Sequence, residues 1–325
     1  MSRGLLIFGN GLGMAVDQEY FQLSVGIKRV WESTGQLTQE QKELIKRALP
    51  NKDVAECPSG EPDLKLIHLA LIAVNIFNKL DLESWLDADA AKLPAAYRCF
   101  AHEVGFYFHQ SEKKLEPDFA TPLCEYLKAT NSHVATLNYD NLLYDCLNRN
   151  NVFDGFKYLG DGYLRDRDTE KLEFSPKNLD SRRNRLGWYL HLHGSPLMVG
   201  NEKLTKSERF KKKASDQVHI VLTHADKKRD VIDESHVLKE YWSRLESAIE
   251  QSSFVSLFGC SGLDFHLNEV IRNHVGQKPV QVIEWNGDGE SDLGRAKFWQ
   301  DQLGKSVELE RMSNILEFKD WGKFA

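Results

Sequence analysis

The sequence predicts an α/β fold, with a parallel sheet flanked by helices and interrupted once by a mostly helical block. Three observations carry this reading. Short, largely apolar runs, too short for core helices, recur at 5–8, 133–137, 188–192, 254–258 and 280–285. Each run ends in glycine or small polar residues, and most give way to a helical pattern, which implies parallel pairing through right-handed crossovers. Between the first and second runs, residues 37–130 are largely helical in pattern. The expected organisation is one domain over 1–325 with a Rossmann-like parallel sheet, a helical insertion or cap at 37–130, and no zinc-ribbon domain.

In chain order, Leu5-Leu6-Ile7-Phe8 fits a strand buried on both faces. It runs into Gly9-Asn10-Gly11-Leu12-Gly13 and then a helix over 14–21. Glycine lets a ligand approach the backbone, and the free N–H groups and positive end of a helix face the same loop. Strand, turn and helix start therefore make a place for a phosphate or pyrophosphate. The spacing is not GxGxxG, and a tight turn that needs only small residues explains it equally.

Thr38 and Gln41 predict a capping box for a helix that Pro50 ends, and 51–61 reads as loop. Asp63 is the expected cap of a helix over 64–80. Its Leu66, Leu69, Ile72, Ala73, Ile76 and Leu80 recur at helical spacing, as in a buried amphipathic helix. Further helical patterns cover 82–86, 95–110 and 119–129. The strand at 133–137 leads into Asn138-Tyr139-Asp140 and a helix over 142–148. Residues 152–177 read as loop with short strands, and the strand at 188–192 ends at His193-Gly194-Ser195. A charged loop at 203–216 and a short strand at 218–222 precede a helix over 235–251. The strand at 254–258 runs into Gly259-Cys260-Ser261-Gly262 and a helix over 265–275, and the last strand ends at Asn286.

A net charge of −6 argues against nucleic acid as the main partner, since phosphate contacts need clustered Lys and Arg. The one basic run, 206–213, reads as a solvated loop. Five cysteines at irregular spacing form no CxxC pair and suit reduced thiols in a cytoplasmic protein. No signal peptide is expected, and polar residues within 64–82 exclude a membrane span there.

Loops after parallel strands share one edge of a sheet, where ligands bind. On that edge the sequence places 9–13, 138–140, 193–195, 259–264 and Asn286. Glycines, amides, a histidine, hydroxyls and carboxylates suit a polyhydroxylated, phosphorylated ligand better than an apolar one.

These residues resemble the sirtuin, or SIR2, family through five motifs in the family's order. Gly9-Asn10-Gly11-Leu12-Gly13 is similar to its Gly-Ala-Gly loop, and Thr136-Leu137-Asn138-Tyr139-Asp140-Asn141-Leu142 to its Thr-Gln-Asn-x-Asp-x-Leu segment. Leu192-His193-Gly194-Ser195 resembles the catalytic His-Gly, and Gly259-Cys260-Ser261-Gly262-Leu263-Asp264 the Gly-x-Ser loop. Asn286 sits where the family contacts the adenosine ribose. The chain departs from the family's deacylases in having no cysteine between His193 and Gly259, Leu137 in place of glutamine, and no Gly-Ile-Pro-Asp-Phe-Arg continuation. What remains resembles the zinc-free bacterial SIR2-like proteins that cleave NAD+ in antiphage defence, often beside an ATPase or Argonaute-like partner.

The resemblance implies NAD+ as substrate, no metal, and an NAD+ glycohydrolase releasing nicotinamide and ADP-ribose. Two alternatives stay open: a subunit that senses NAD+ or ADP-ribose without turnover, and an ADP-ribosyl transferase or deacylase. Cleaving the bond from ribose C1′ to nicotinamide needs a held pyrophosphate, an oriented ribose and a placed water. His193 can take a proton from a ribose hydroxyl or that water, and the Asn138 amide can both donate and accept. Asp140 would hold the nicotinamide carboxamide, as the resemblance implies. Asp17 could meet a ribose or a water, or act as a first-turn carboxylate, and Ser261 could bind phosphate or ribose, or serve packing. Asp264 reads as the N-cap of the next helix, His191 as a histidine satisfied by backbone, and Cys260 as no nucleophile. Apolar helices in excess of one thin layer point to a homo-oligomer; no membrane and no direct nucleic-acid binding are expected.

Overall fold

Among the described residues, seven parallel strands make the central sheet and five short antiparallel strands make a second one. The structure, a computed structural model, describes residues 2–49, 57–153, 159–166, 169–180, 187–211, 218–224 and 227–321. In chain order the strands are β1 Leu5–Phe8, β2 His133–Thr136, β3 Leu159–Gly160, β4 Tyr163–Arg165, β5 Leu172–Phe174, β6 Gly187–His191, β7 Gly194–Val199, β8 Glu202–Lys203, β9 Val218–Ile220, β10 Val255–Phe258, β11 Val280–Trp285 and β12 Glu308–Met312. The large sheet has the order β12-β11-β10-β1-β2-β6-β3 and the small one β4-β5-β8-β7-β9.

Register matters most for the site. Phe8 lies level with Phe258 on one side and Thr136 on the other, and Thr136 is level with His191. The loops after β1, β2, β6 and β10 therefore leave the sheet side by side. Alternation along β1 sends Leu6 and Phe8 into a core shared with the helical block. Leu5 and Ile7 enter the opposite core, beneath the helices His236–Gln251 and Phe265–His274.

The expected parallel α/β sheet is present, with three additions. β12 closes one edge with alternating charged residues, and β3 is too short to show a period. Where strand 188–192 was expected to end in a loop, His193 instead links the large sheet to β7 of the small one. Gly194 has φ +79°, and a Cβ there would sit 1.7 Å from the His219 carbonyl, so only glycine lets β7 approach β9.

Several boundaries differ from expectation. The first helix starts at Gly11, inside the glycine run, and breaks at Asp17, which caps a second short helix, Gln18–Phe21. Thr38 and Gln41 form the capping box of the helix Gln39–Arg47; Pro50 lies outside the described residues. The helix expected from Asp63 runs Glu61–Lys79, with Gly60 as its cap and Asp63 in its first turn, accepting hydrogen bonds from Ser59. Its buried face is Leu64, Ile67, Leu71 and Val74, whereas Leu66, Leu69, Ala73, Ile76 and Leu80 face outward. Two apolar stripes at 3-4 spacing, two residues apart, share this helix, and spacing alone does not say which turns inward. The basic run begins as the helix Lys206–Lys211, and its Arg209 is buried on Glu103 at 2.7 Å; residues 212–213 lie outside the described residues.

Candidate active site

The strand ends enclose a cavity of about 880 Å³, toward the upper end of the usual range for small-molecule sites. Its floor is two interlocked glycine loops. A Cβ on Gly9 would lie 2.6 Å from the Gly259 carbonyl, and one on Gly259, at φ +62°, 2.9 Å from the Leu12 amide. The Gly11 amide donates to the Gly259 carbonyl at 2.9 Å. These glycines thus serve the close approach of two loops as well as the space above them. Gly9, Asn10, Gly11, Gly259 and Ser261 line the cavity. Leu12 is core, Gly13 packs on Phe21, and neither lines it.

Asn138 is the best-defined polar group of the wall. It is buried at the end of β2, where its amide nitrogen donates to the Gly9 carbonyl at 3.1 Å. That bond fixes which end of the amide is nitrogen. The oxygen, Oδ1, is buried with no hydrogen-bond partner. Thr223, whose Oγ1 is likewise buried and unpartnered, lines the same cavity beyond β9. Orphaned buried polar atoms are costly, and both of these belong to residues that line the cavity.

His193 lines the same cavity and is 5% exposed. Its Nε2 lies 3.0 Å from Asp264 Oδ2, and the ring also bonds the Leu137 backbone. The same carboxylate oxygen accepts from Lys228 Nζ at 2.8 Å, while Oδ1 caps the helix Phe265–His274 by accepting from the Leu267 amide. Asp264 is therefore the expected N-cap and the hub of a buried charge cluster. Burial alone would raise its pKa, but His193 and Lys228 outweigh it and hold the carboxyl far below the usual range. Burial, then Lys228, pushes the His193 pKa down, while its hydrogen bonds to Asp264 and to the Leu137 backbone oppose that shift.

Asp140 also lines the cavity. Its carboxylate caps the helix Leu142–Arg149 through the Leu142 amide, and burial raises its pKa to about 6. It also borders a second cavity of about 150 Å³ that holds Lys203, His109 and His191. His191, expected to be satisfied by backbone, has its Nε2 buried without a hydrogen-bond partner. Cys260 is buried, and its thiol is pushed up to about 12 by burial, which makes it inert.

Two expected residues stand apart. Asp17 is paired with Lys113 at 2.8 Å and does not line the cavity. Asn286 is exposed outside it; the strand end reaches the cavity through Trp285 and through Glu284, which Arg295 and Arg311 saturate. Lys228 and Thr223 were not foreseen. Lys228 sits among Lys227, Arg229 and Asp230, a pattern that reads as a solvated face, and Thr223 carries no local signal at all. Among the described residues, no group of three His, Cys, Asp or Glu could hold a metal, and no helix is long and apolar enough to cross a membrane.

Residues 132–285 match the family model of the SIR2-like domain. The match runs from β2 to the end of β11, so it covers Asn138, Asp140, His193, Gly259 and Ser261 and leaves out the first glycine loop and Asn286. No curated protein matches the chain.

Proposed function

We propose that this chain, whose residues 132–285 match the family model of the SIR2-like domain, is an NAD+ glycohydrolase acting in antiphage defence by NAD+ depletion. The observation that carries the reading is the pairing in one cavity of a buried imidazole, His193, with Asn138, whose amide oxygen is buried and unpartnered.

In the proposed reaction the bond from C1′ to the nicotinamide nitrogen breaks, and its electron pair leaves with neutral nicotinamide. The ribose becomes oxocarbenium-like, water adds to C1′, and one proton is released. Asn138 Oδ1 accepts from a ribose hydroxyl or the water. Asp140 is assigned to the carboxamide. The His193 imidazole takes the proton, and Asp264 stabilises the cation that forms. Both ring nitrogens are engaged, by Asp264 and the Leu137 backbone. Proton uptake therefore requires the ring to exchange one of these bonds for one to the substrate. Gly9, Asn10, Gly11, Gly259 and Ser261 would carry the phosphates and adenosine side.

Purified protein with NAD+ should release nicotinamide, and His193→Ala and Asn138→Ala should each abolish release. Release unchanged in both variants ends the reading. The engaged imidazole favours one alternative, a subunit that binds NAD+ or ADP-ribose without turnover. Calorimetric binding without cleavage, even beside a defence-system partner such as an ATPase, selects it.

A further inference from the structure

The two ends of the large cavity differ in chemistry. Along the sheet, the order β11-β10-β1-β2-β6 puts the two glycine loops, after β10 and β1, in the middle. Asn138 and His193 follow β2 and β6 on one side. On the other side, at the end of β11, the lining is Trp285, with Leu263 and Phe298 also in the wall. Trp285 is 52% exposed, although every other residue of β11 is buried.

This indole is held in place. The Asn286 amide donates to the Met312 carbonyl at 3.0 Å, which ties the backbone after Trp285 to β12. Gly287 lies against the ring: a Cβ there would fall within 2.7 Å of Cε2, Cζ2 and Cη2, so an alanine would push the indole from its position. The carboxylates at this end are already paired, Glu284 with Arg295 and Arg311, and Asp288 with Arg311. What the indole offers an occupant of the cavity is therefore a positioned aromatic face. A flat aromatic group is the chemistry that uses such a face, and every nucleobase has one.

We propose that Trp285 is the platform on which the purine base of the bound dinucleotide stacks, with Gly287 as its positioning residue. The inference rests on the proposed reading of the cavity as a dinucleotide site, though not on turnover. With the phosphates over the glycine loops and the ribose to be cleaved at Asn138 and His193, the other nucleoside extends to the far side of the loops, towards β11. Neighbouring strands lie about 4.8 Å apart, so β11 is roughly 10 Å from β1, a reach that one nucleoside spans.

Calorimetric titration of the full chain with ADP-ribose tests this without turnover. Trp285→Ala should weaken binding about tenfold or more with an unchanged circular dichroism spectrum. Trp285→Phe keeps an aromatic face and should bind within about threefold of the wild type. Trp85→Ala, at a site 74% exposed that does not line the cavity, should change nothing. Gly287→Ala should weaken binding in the wild type and add nothing in the Trp285→Ala background. Ribose 5-phosphate, which has no base, should bind the wild type and Trp285→Ala alike. Where NAD+ is cleaved, Trp285→Ala should raise KM and keep kcat, and cleavage of nicotinamide mononucleotide, which lacks the adenosine, should not respond to it. ADP-ribose that does not bind, that binds Trp285→Ala as tightly as the wild type, or whose loss is matched by ribose 5-phosphate overturns the proposal, whether or not NAD+ is cleaved. Binding that depends on Trp285 without any cleavage upholds it and removes only the reaction.

Discussion

Replacing Asp264 with asparagine probes the charge cluster most directly. The substitution keeps the size of the side chain and an oxygen for the Leu267 amide, so the helix cap survives. What it removes is the negative charge 2.8 Å from Lys228 Nζ and 3.0 Å from His193 Nε2. Both partners of the Lys228 pair are nearly buried, at 11% and 8% side-chain exposure. Removing one member of such a pair strands the other charge away from water, which costs about 3–5 kcal/mol. Asp264→Ala also loses the cap and should cost about 1 kcal/mol more. Lys228→Met placed in the Asp264→Asn background removes the stranded ammonium and should recover most of the loss. Urea unfolding of the wild type, Asp264→Asn, Lys228→Met and the double variant forms a double-mutant cycle that reads the coupling of the pair. A loss below about 1 kcal/mol for Asp264→Asn, or no recovery in the double variant, would refute the reasoning. In the NAD+ assay the same substitution should lower kcat with little change in KM, because Asp264 acts on the imidazole.

Acid should destabilise the fold well before carboxylates titrate. Burial lowers His102 to about 4 and His109 and His133 to about 3. The unfolded chain then takes up protons first, so stability is full above about pH 6.5 and falls as pH drops. Each histidine should contribute a loss of about 1 kcal/mol between pH 6.5 and 5.5, and a urea midpoint flat across that window would contradict this. Gly259→Ala places a Cβ 2.9 Å from the Leu12 amide at φ +62° and should cost about 2 kcal/mol or more. Gly276→Ala, at φ +55° with nothing within 4 Å, should cost about 1 kcal/mol. Thermal melting separates the two.

The sequence was most legible where burial is two-sided. β1, β10 and β11 show as apolar runs because every residue in them but exposed Trp285 is buried. β12, a half-exposed edge strand of Glu, Leu, Glu, Arg and Met, offers no such run. The small antiparallel sheet is built from strands of two to six residues, too short for a local period to announce them. In the site, Asn138 and His193 were visible as polar residues at strand ends. The partnership of His193 with Asp264 was not, since the two are 71 residues apart and Asp264 already had a sufficient local role as a cap. Lys228 was hidden by its neighbours. Its burial comes from where the helix Lys228–Glu234 lies rather than from its sequence.

The reciprocal glycines beneath the cavity have a mechanical consequence. Two backbones that touch with no side chain between them cannot slide apart without losing the hydrogen bond from the Gly11 amide to the Gly259 carbonyl, nor close further without collision. Glu61, Thr223 and Lys228 line the same cavity from other segments of the chain, so any adjustment to a bound molecule falls to parts of the lining other than the glycine base.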